Sequence, residues 1–326
     1  MFVGDGEGIH VADINDIRPV RPTREMDMWR AATYIFRTEQ GWRYPLRIWL
    51  WVALPMALVY AVAYPMFLVA MADLATLEVG DEFPYLGRWL GSMLLFSIAS
   101  MIPALLGAAA VHRKLVLGDD SRVPLRFSRD EANLLLTYLG VMGLFLAAYA
   151  ALIIAMVLMV LLIGALSAVG GGALAVLGGI LAGVVFIAGL IGLFYLMIRL
   201  IPAGAATIAY GRPVVIKALN ISKHRALPIF GAYLIAYIMA YAVLIVVSLL
   251  ALASMGIGGG ILIGNVDALQ SLADIPRWRL TLAAIPMGLG TAVAIVWLAS
   301  VGSATVVAYG RDLMSANDAT DPPGFA

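Results

Sequence analysis

Residues 134–163 hold thirty positions without one Asp, Glu, Lys or Arg, and residues 164–198 add thirty-five more. A helix needs roughly 20 such residues to cross the hydrocarbon core of a bilayer. Only a structure that satisfies its own backbone hydrogen bonds survives there, and a run this long without strand-like alternation predicts helices. Composition agrees. The chain has 326 residues, 63% of them hydrophobic and 13% charged, against about a quarter charged in a soluble domain. That charge cannot coat a water-facing surface. The reading excludes a soluble enzyme, a nucleic-acid binder and, with no cysteine present, a secreted disulfide scaffold or a thiolate metal site.

Six apolar stretches follow along the chain: Ile48–Ala72, Trp89–Val111, Ala132–Ala165, Ala173–Tyr210, Ile229–Ala253 and Leu280–Tyr309. The fold class expected is an all-α integral membrane protein, six transmembrane helices arranged as three hairpins. Residues 1–47 form a segment before the bundle, 48–311 the six-helix domain, and 312–326 a tail. The N-terminal segment has no apolar region after a basic start, so the first span is expected to act as its own membrane signal. Residues 1–47, 112–131 and 211–226 together with Arg311 carry 17 Lys and Arg, whereas 73–88, 164–173 and 254–279 carry three. By the positive-inside rule both termini are cytoplasmic, in a bacterial inner membrane. Trp42, Trp49, Trp51, Trp89 and Trp278 fall at the expected interfaces, where indoles collect.

A repeat is visible. Ile102-Pro103-Ala104 recurs as Ile201-Pro202-Ala203, and Ala209-Tyr210-Gly211-Arg212 as Ala308-Tyr309-Gly310-Arg311, both 99 residues on. The same step back from Ala209 meets Ala110-Val111-His112-Arg113. Each unit then comprises a cytoplasmic connector, an outward span, an external loop and a returning span. The first connector, 23–38, places Met28, Trp29, Ala32, Ile35 and Phe36 on one helical face, with Thr23 as N-cap, and predicts an amphipathic helix lying in the interface. After Arg212, Pro213 suits the first turn of a short helix. The middle connector, 119–131, is the least regular.

The segments RLIPAGA at 199–205 and GRPVVIKALNISKHRALPIF at 211–230 carry a resemblance. The chain is similar to the membrane-embedded domain that some bacterial glycerophosphodiester phosphodiesterases possess, and to its stand-alone relatives. No polar stretch is longer than 1–47, so the resemblance brings no phosphodiesterase domain and no catalytic residue with it.

Candidate binding residues are the arginines. Arg199 is the one charge well inside an apolar run, and intramembrane charge is costly enough to demand a reason. Two readings stand: a structural anchor whose guanidinium reaches the interface, or a binding charge for a lipid phosphate or anion. Pro202 frees the carbonyl of Ile198, a nearby acceptor for that guanidinium. Arg113, Arg212 and Arg311 close the returning helices, where a cation suits the helix dipole and can meet anionic lipid. Pro103 and Pro202 are expected kinks. Tyr233, Tyr237 and Tyr241 form a stripe on the fifth span. His10, His112 and His224 are read as scattered over cytoplasmic segments, and the external acids Asp267 and Asp274 are too sparse for a metal. No catalytic residue, metal or cofactor is expected. The function this supports is a non-enzymatic inner-membrane protein that binds anionic lipid or organises a membrane partner, a second copy included. The alternative is a small transporter or channel for an anionic or lipid substrate, built on Arg199.

Overall fold

The computed structural model describes residues 27–38, 41–75, 82–119, 121, 123–170, 172–223, 225–254 and 276–318. Among them there is no strand. The elements are α1 (Met28–Ala32), a 3-10 turn (Tyr34–Arg37), α2 (Arg43–Ala75), α3 (Glu82–His112) running on into a π-helical turn (Arg113–Leu117), α4 (Arg129–Gly170), α5 (Gly172–Leu200), α6 (Ala203–Tyr210), α7 (Val215–Ile221), α8 (Ala226–Ser254) and α9 (Arg277–Asp318). The chain is an all-α membrane protein with six helical segments long and apolar enough to cross a bilayer: α2, α3, α4, α5 with α6, α8 and α9. Thr23, His10, His224, Asp267 and Asp274 lie outside the described residues.

Helix α9 is the centre of the bundle, packing along α2, α3 and α8 and touching α6 and α1. Small side chains make this possible, since close approach of backbones is what binds helices in lipid. Ala283, Ala284, Ala292, Ser300, Ser303 and Ala304 of α9 are buried. Gly288 sits so near α2 that a Cβ there would fall 2.9 Å from both Ala57 Cα and Met56 O. Helices α4 and α5 pair with each other, Ile163 lying against Gly178 and Leu152 against Gly189. They meet the remaining helices mainly through α6, α7 and the ends of α3 and α8. The most apolar stretch of α4 buries nothing within the protomer.

The elements joining the hairpins gather at one end. Trp297 Nε1 of α9 donates to Ala32 O (2.7 Å), Arg47 Nη2 of α2 to Ser121 O (2.9 Å), and Asn133 Nδ2 of α4 to Gly211 O (2.8 Å). This end is the connector face of the bundle.

Local structure breaks the fourth stretch at Pro202, one of the expected kinks, and departs from the sequence expectation in three other places. The fourth stretch is two helices: α5 stops at Leu200 and α6 restarts at Ala203. Pro202 has no N–H to give Ile198 O, which accepts instead from Ile201 N at 3.3 Å. The carbonyl of Arg199, exposed by the break, is taken by the Ser222 hydroxyl at 2.9 Å. Pro103, in the same Ile-Pro-Ala setting, leaves α3 unbroken, so the proline alone does not decide the outcome. The first connector is not one amphipathic helix. Asp27 caps α1, accepting from Trp29 N at 3.0 Å. One turn on, the Thr33 hydroxyl donates to Trp29 O (2.8 Å), and the chain tightens to a 3-10 turn. Ala31 and Ala32 are buried among α8 and α9 side chains and Ile35 beside α2, while Met28, Trp29 and Phe36 stay exposed. Pro213 precedes the N-cap Val214 rather than entering α7. Finally, α2 begins at Arg43 and α9 continues to Asp318, past both edges assigned to the bundle.

Candidate functional site

Docking of the first connector onto α2 and α9 creates a groove on the connector face. Ile35, Phe36, Trp42, Pro45, Leu46, Trp49, Val293, Val296 and Trp297 line it, enclosing about 350 Å³. That volume is at the low end of the roughly 300–1,000 Å³ typical of small-molecule sites. Its walls are apolar for a specific reason. Two indole N–H groups are already engaged by backbone carbonyls, Trp297 by Ala32 and Trp49 by Leu289 at 3.1 Å, so the ring faces are what the groove presents. Phe36 meets Trp297 edge to face, centroids 5.4 Å apart. Trp42 stands at the rim, 65% exposed. Arg37 and Arg43, each one residue beyond a groove aromatic, are exposed.

Beneath the connector face lies a buried polar layer. Arg113, 2% exposed, is enclosed by Glu131 (1% exposed), which accepts from Nη1, by Pro124 O at 2.7 Å from Nη2, and by Asp119 at 3.8 Å. Glu131 also accepts from the backbone N–H of Ser128 at 2.8 Å and from its hydroxyl. This is a capping box, in which residue N3 reaches back to the N-cap, so one carboxylate starts α4 and pairs with the arginine that opens the π-helical turn. The π-helical turn ends at Gly118, whose φ of 75° is in the left-handed region. Nearby, Thr137 and Thr207 hydroxyls are 2.7 Å apart. His112 Nδ1 meets Ser303 Oγ at 2.8 Å. A Cβ on Gly204 would fall 2.9 Å from His112 Nε2 and 2.8 Å from Tyr138 Oη. Gly204 and Ser303 are themselves 99 residues apart, and both flank this imidazole.

Both residues of the His112–Ser303 pair are buried, and Ser303 Oγ lies within hydrogen-bond reach of two partners, His112 Nδ1 and, at 3.3 Å, Ala299 O. Neither residue lines the aromatic groove.

The four arginines singled out from the sequence occupy different settings. Arg113 is no exposed helix-end cation but the buried partner of Glu131; its donors are directed at protein acceptors, which removes it from the lipid-binding set. Arg199 is half-buried: Nη2 donates to Leu219 O, Nε to Ser222 Oγ at 3.4 Å, and the guanidinium lies 5.7 Å from the Tyr195 ring. It ties the end of α5 to the last turn of α7, and its acceptor is Leu219 O, not Ile198 O. Arg212 is exposed beyond the left-handed cap Gly211 (φ 61°). Arg311 is within α9, but its side chain lies outside the described ones. His112, read as cytoplasmic, is inside the bundle. Tyr233, Tyr237 and Tyr241 stack on one another (6.4 and 5.2 Å), yet Tyr237 and Tyr241 remain exposed rather than packed between helices.

The sequence reading missed the Arg113–Glu131 pair, although Ser128-x-x-Glu131 was a visible capping signal. No local signal marks His112–Ser303, which joins residues 191 apart. Among the described residues no group of three or more His, Asp or Glu is placed to hold a metal ion. No family model matches the chain, and neither the curated proteins nor the solved structures contain a significant match to it.

Proposed function

We propose that this is a non-enzymatic protein of the bacterial inner membrane that holds an anionic phospholipid on its cytoplasmic face. The observation carrying the reading is the aromatic groove. It is apolar enough for an acyl chain, opens where the connectors meet α2 and α9, and has the exposed cations Arg37 and Arg43 beside it for a phosphate. The 17-to-3 cation distribution supports placing this face in the cytoplasm, where anionic headgroups attract basic segments by about 1 kcal/mol per cation. The resemblance to the membrane domain of glycerophosphodiester phosphodiesterases and the 99-residue repeat belong to the same proposal. The α4–α5 hairpin, with apolar surface left uncovered by its own chain, is where a membrane partner or second copy would pack. Transport through Arg199 draws no support from its surroundings, since that guanidinium is engaged with α7.

Lipid retention tests this. The full chain, purified in mild detergent and exchanged into mixed phosphatidylglycerol and phosphatidylcholine, should retain phosphatidylglycerol preferentially. Val293→Trp, which fills the groove, and Arg37→Gln with Arg43→Gln should each lower that preference. Unchanged selectivity in both would refute the site.

A further inference from the structure

We propose that the opposite end of the bundle carries a second site, a cleft that seats the phosphodiester headgroup of an anionic phospholipid between Arg88 and Arg277. Residues 73–88, 164–173 and 254–279, the loops and span ends of that side, hold just three cations: Arg88, Arg277 and Arg279. Two of them line a single cleft of about 360 Å³ between α2, α3 and α9, with Ser92 and Thr281. The third, Arg279, lies 5.2 Å from the ring of its neighbour Trp278. Cations are scarce on this face, so convergence of two on one cleft calls for a physical account.

The backbone explains the cleft. At Gly288 α9 is pressed against the α2 backbone at Ala57, and beyond that crossing the helices leave the space between them. Its α2 wall is Ala61, Val62, Pro65, Met66, Val69 and Ala70.

Electrostatics favour an anion. Arg277 and Arg279 occupy the first turn of α9, the end of the helix macrodipole that repels cations. A phosphate there would satisfy the dipole and the guanidinium together, and arginine's planar fork suits its oxygens. The apolar α2 wall below selects an amphiphile over free phosphate.

The site is independent of the connector-face groove, and the experiment separates them. Full-length protein carrying the photo-crosslinker p-benzoylphenylalanine at Val69 is reconstituted in phosphatidylcholine vesicles containing a minor fraction of phosphatidylglycerol. Cross-linking should capture phosphatidylglycerol well above its bulk share, and inorganic phosphate should not compete. Arg88→Gln with Arg277→Gln should cut the ratio of phosphatidylglycerol to phosphatidylcholine captured about 25-fold, each cation contributing about fivefold. Met66→Trp, which keeps both charges and fills the cleft, should lower capture of both lipids. Val293→Trp at the other end should change nothing here. Capture that mirrors bulk composition in the unsubstituted cleft would overturn the proposal without any charge variant. Displacement by inorganic phosphate would replace the lipid with a free-anion site, and undiminished enrichment in the double variant would remove the arginines from it.

Discussion

Replacing Arg113 by Met removes a guanidinium that is 2% exposed and leaves Glu131, 1% exposed, without its counter-charge. The carboxylate keeps two donors from Ser128, but hydrogen bonds do not replace a charge in so dry a place. Breaking a buried pair from one side costs about 3–5 kcal/mol. Glu131→Gln strands the arginine instead. Pro124 O and Asp119, the latter at 3.8 Å, offset part of that loss, and Gln remains competent in the capping box. Its cost should therefore lie toward the lower end of the same range. The double variant, Arg113→Met with Glu131→Gln, buries no unpaired charge. It should be more stable than either single variant, with a coupling above about 2 kcal/mol. The assay is denaturant unfolding in a fixed mild detergent, followed by loss of helical signal, for the wild type and all three variants. Single losses below about 1 kcal/mol that simply add would describe an exposed ion pair and refute the buried layer as described.

Two further predictions concern packing and Arg199. Gly288→Ala should destabilise more than Gly178→Ala, because the new Cβ would meet Ala57 and Met56 backbone at 2.9 Å in the first case and the movable Ile163 Cγ1 at 2.6 Å in the second; unfolding midpoints decide, and the reverse order would contradict the α2–α9 crossing. Arg199→Lys should lose much of the tie to α7, since one ammonium cannot reproduce the guanidinium's separate contacts to Leu219 O and Ser222, and Ser222→Ala should lose part of it. Faster proteolysis at residues 213–225 in both variants is the expected result, and wild-type rates in both would place Arg199 outside the brace.

The six spans were legible because lipid imposes one requirement on every residue that crosses it, and long uncharged runs meet that requirement visibly. Where α5 ends was not. Pro103 and Pro202 share a motif, and only tertiary partners separate them: Ser222 takes the Arg199 carbonyl at one, while α3 continues through the other. The first connector misled for a related reason. Its apolar spacing matched a helix, but Thr33 hydrogen-bonds its own backbone and α8 and α9 bury Ala31 and Ala32, so the segment docks instead of lying free. Arg113 read as a helix-end cation because its partner acid is 18 residues away across an irregular stretch. The aromatic groove brings Trp297 against Phe36 and Trp49 from the other end of the chain, a juxtaposition no local pattern carries.

Sidedness tests the account most directly, since the proposed roles of the connector-face groove and the opposite cleft both depend on it. The chain has no cysteine, so single introduced thiols report without background. In intact cells with a permeable outer membrane, Gly80→Cys, Ala168→Cys and Ala268→Cys should react with a membrane-impermeant maleimide. Asp120→Cys, Asn220→Cys and Thr320→Cys should react only after the inner membrane is opened. A reproducible inversion at any one of the six positions would contradict three hairpins with their connectors in the cytoplasm.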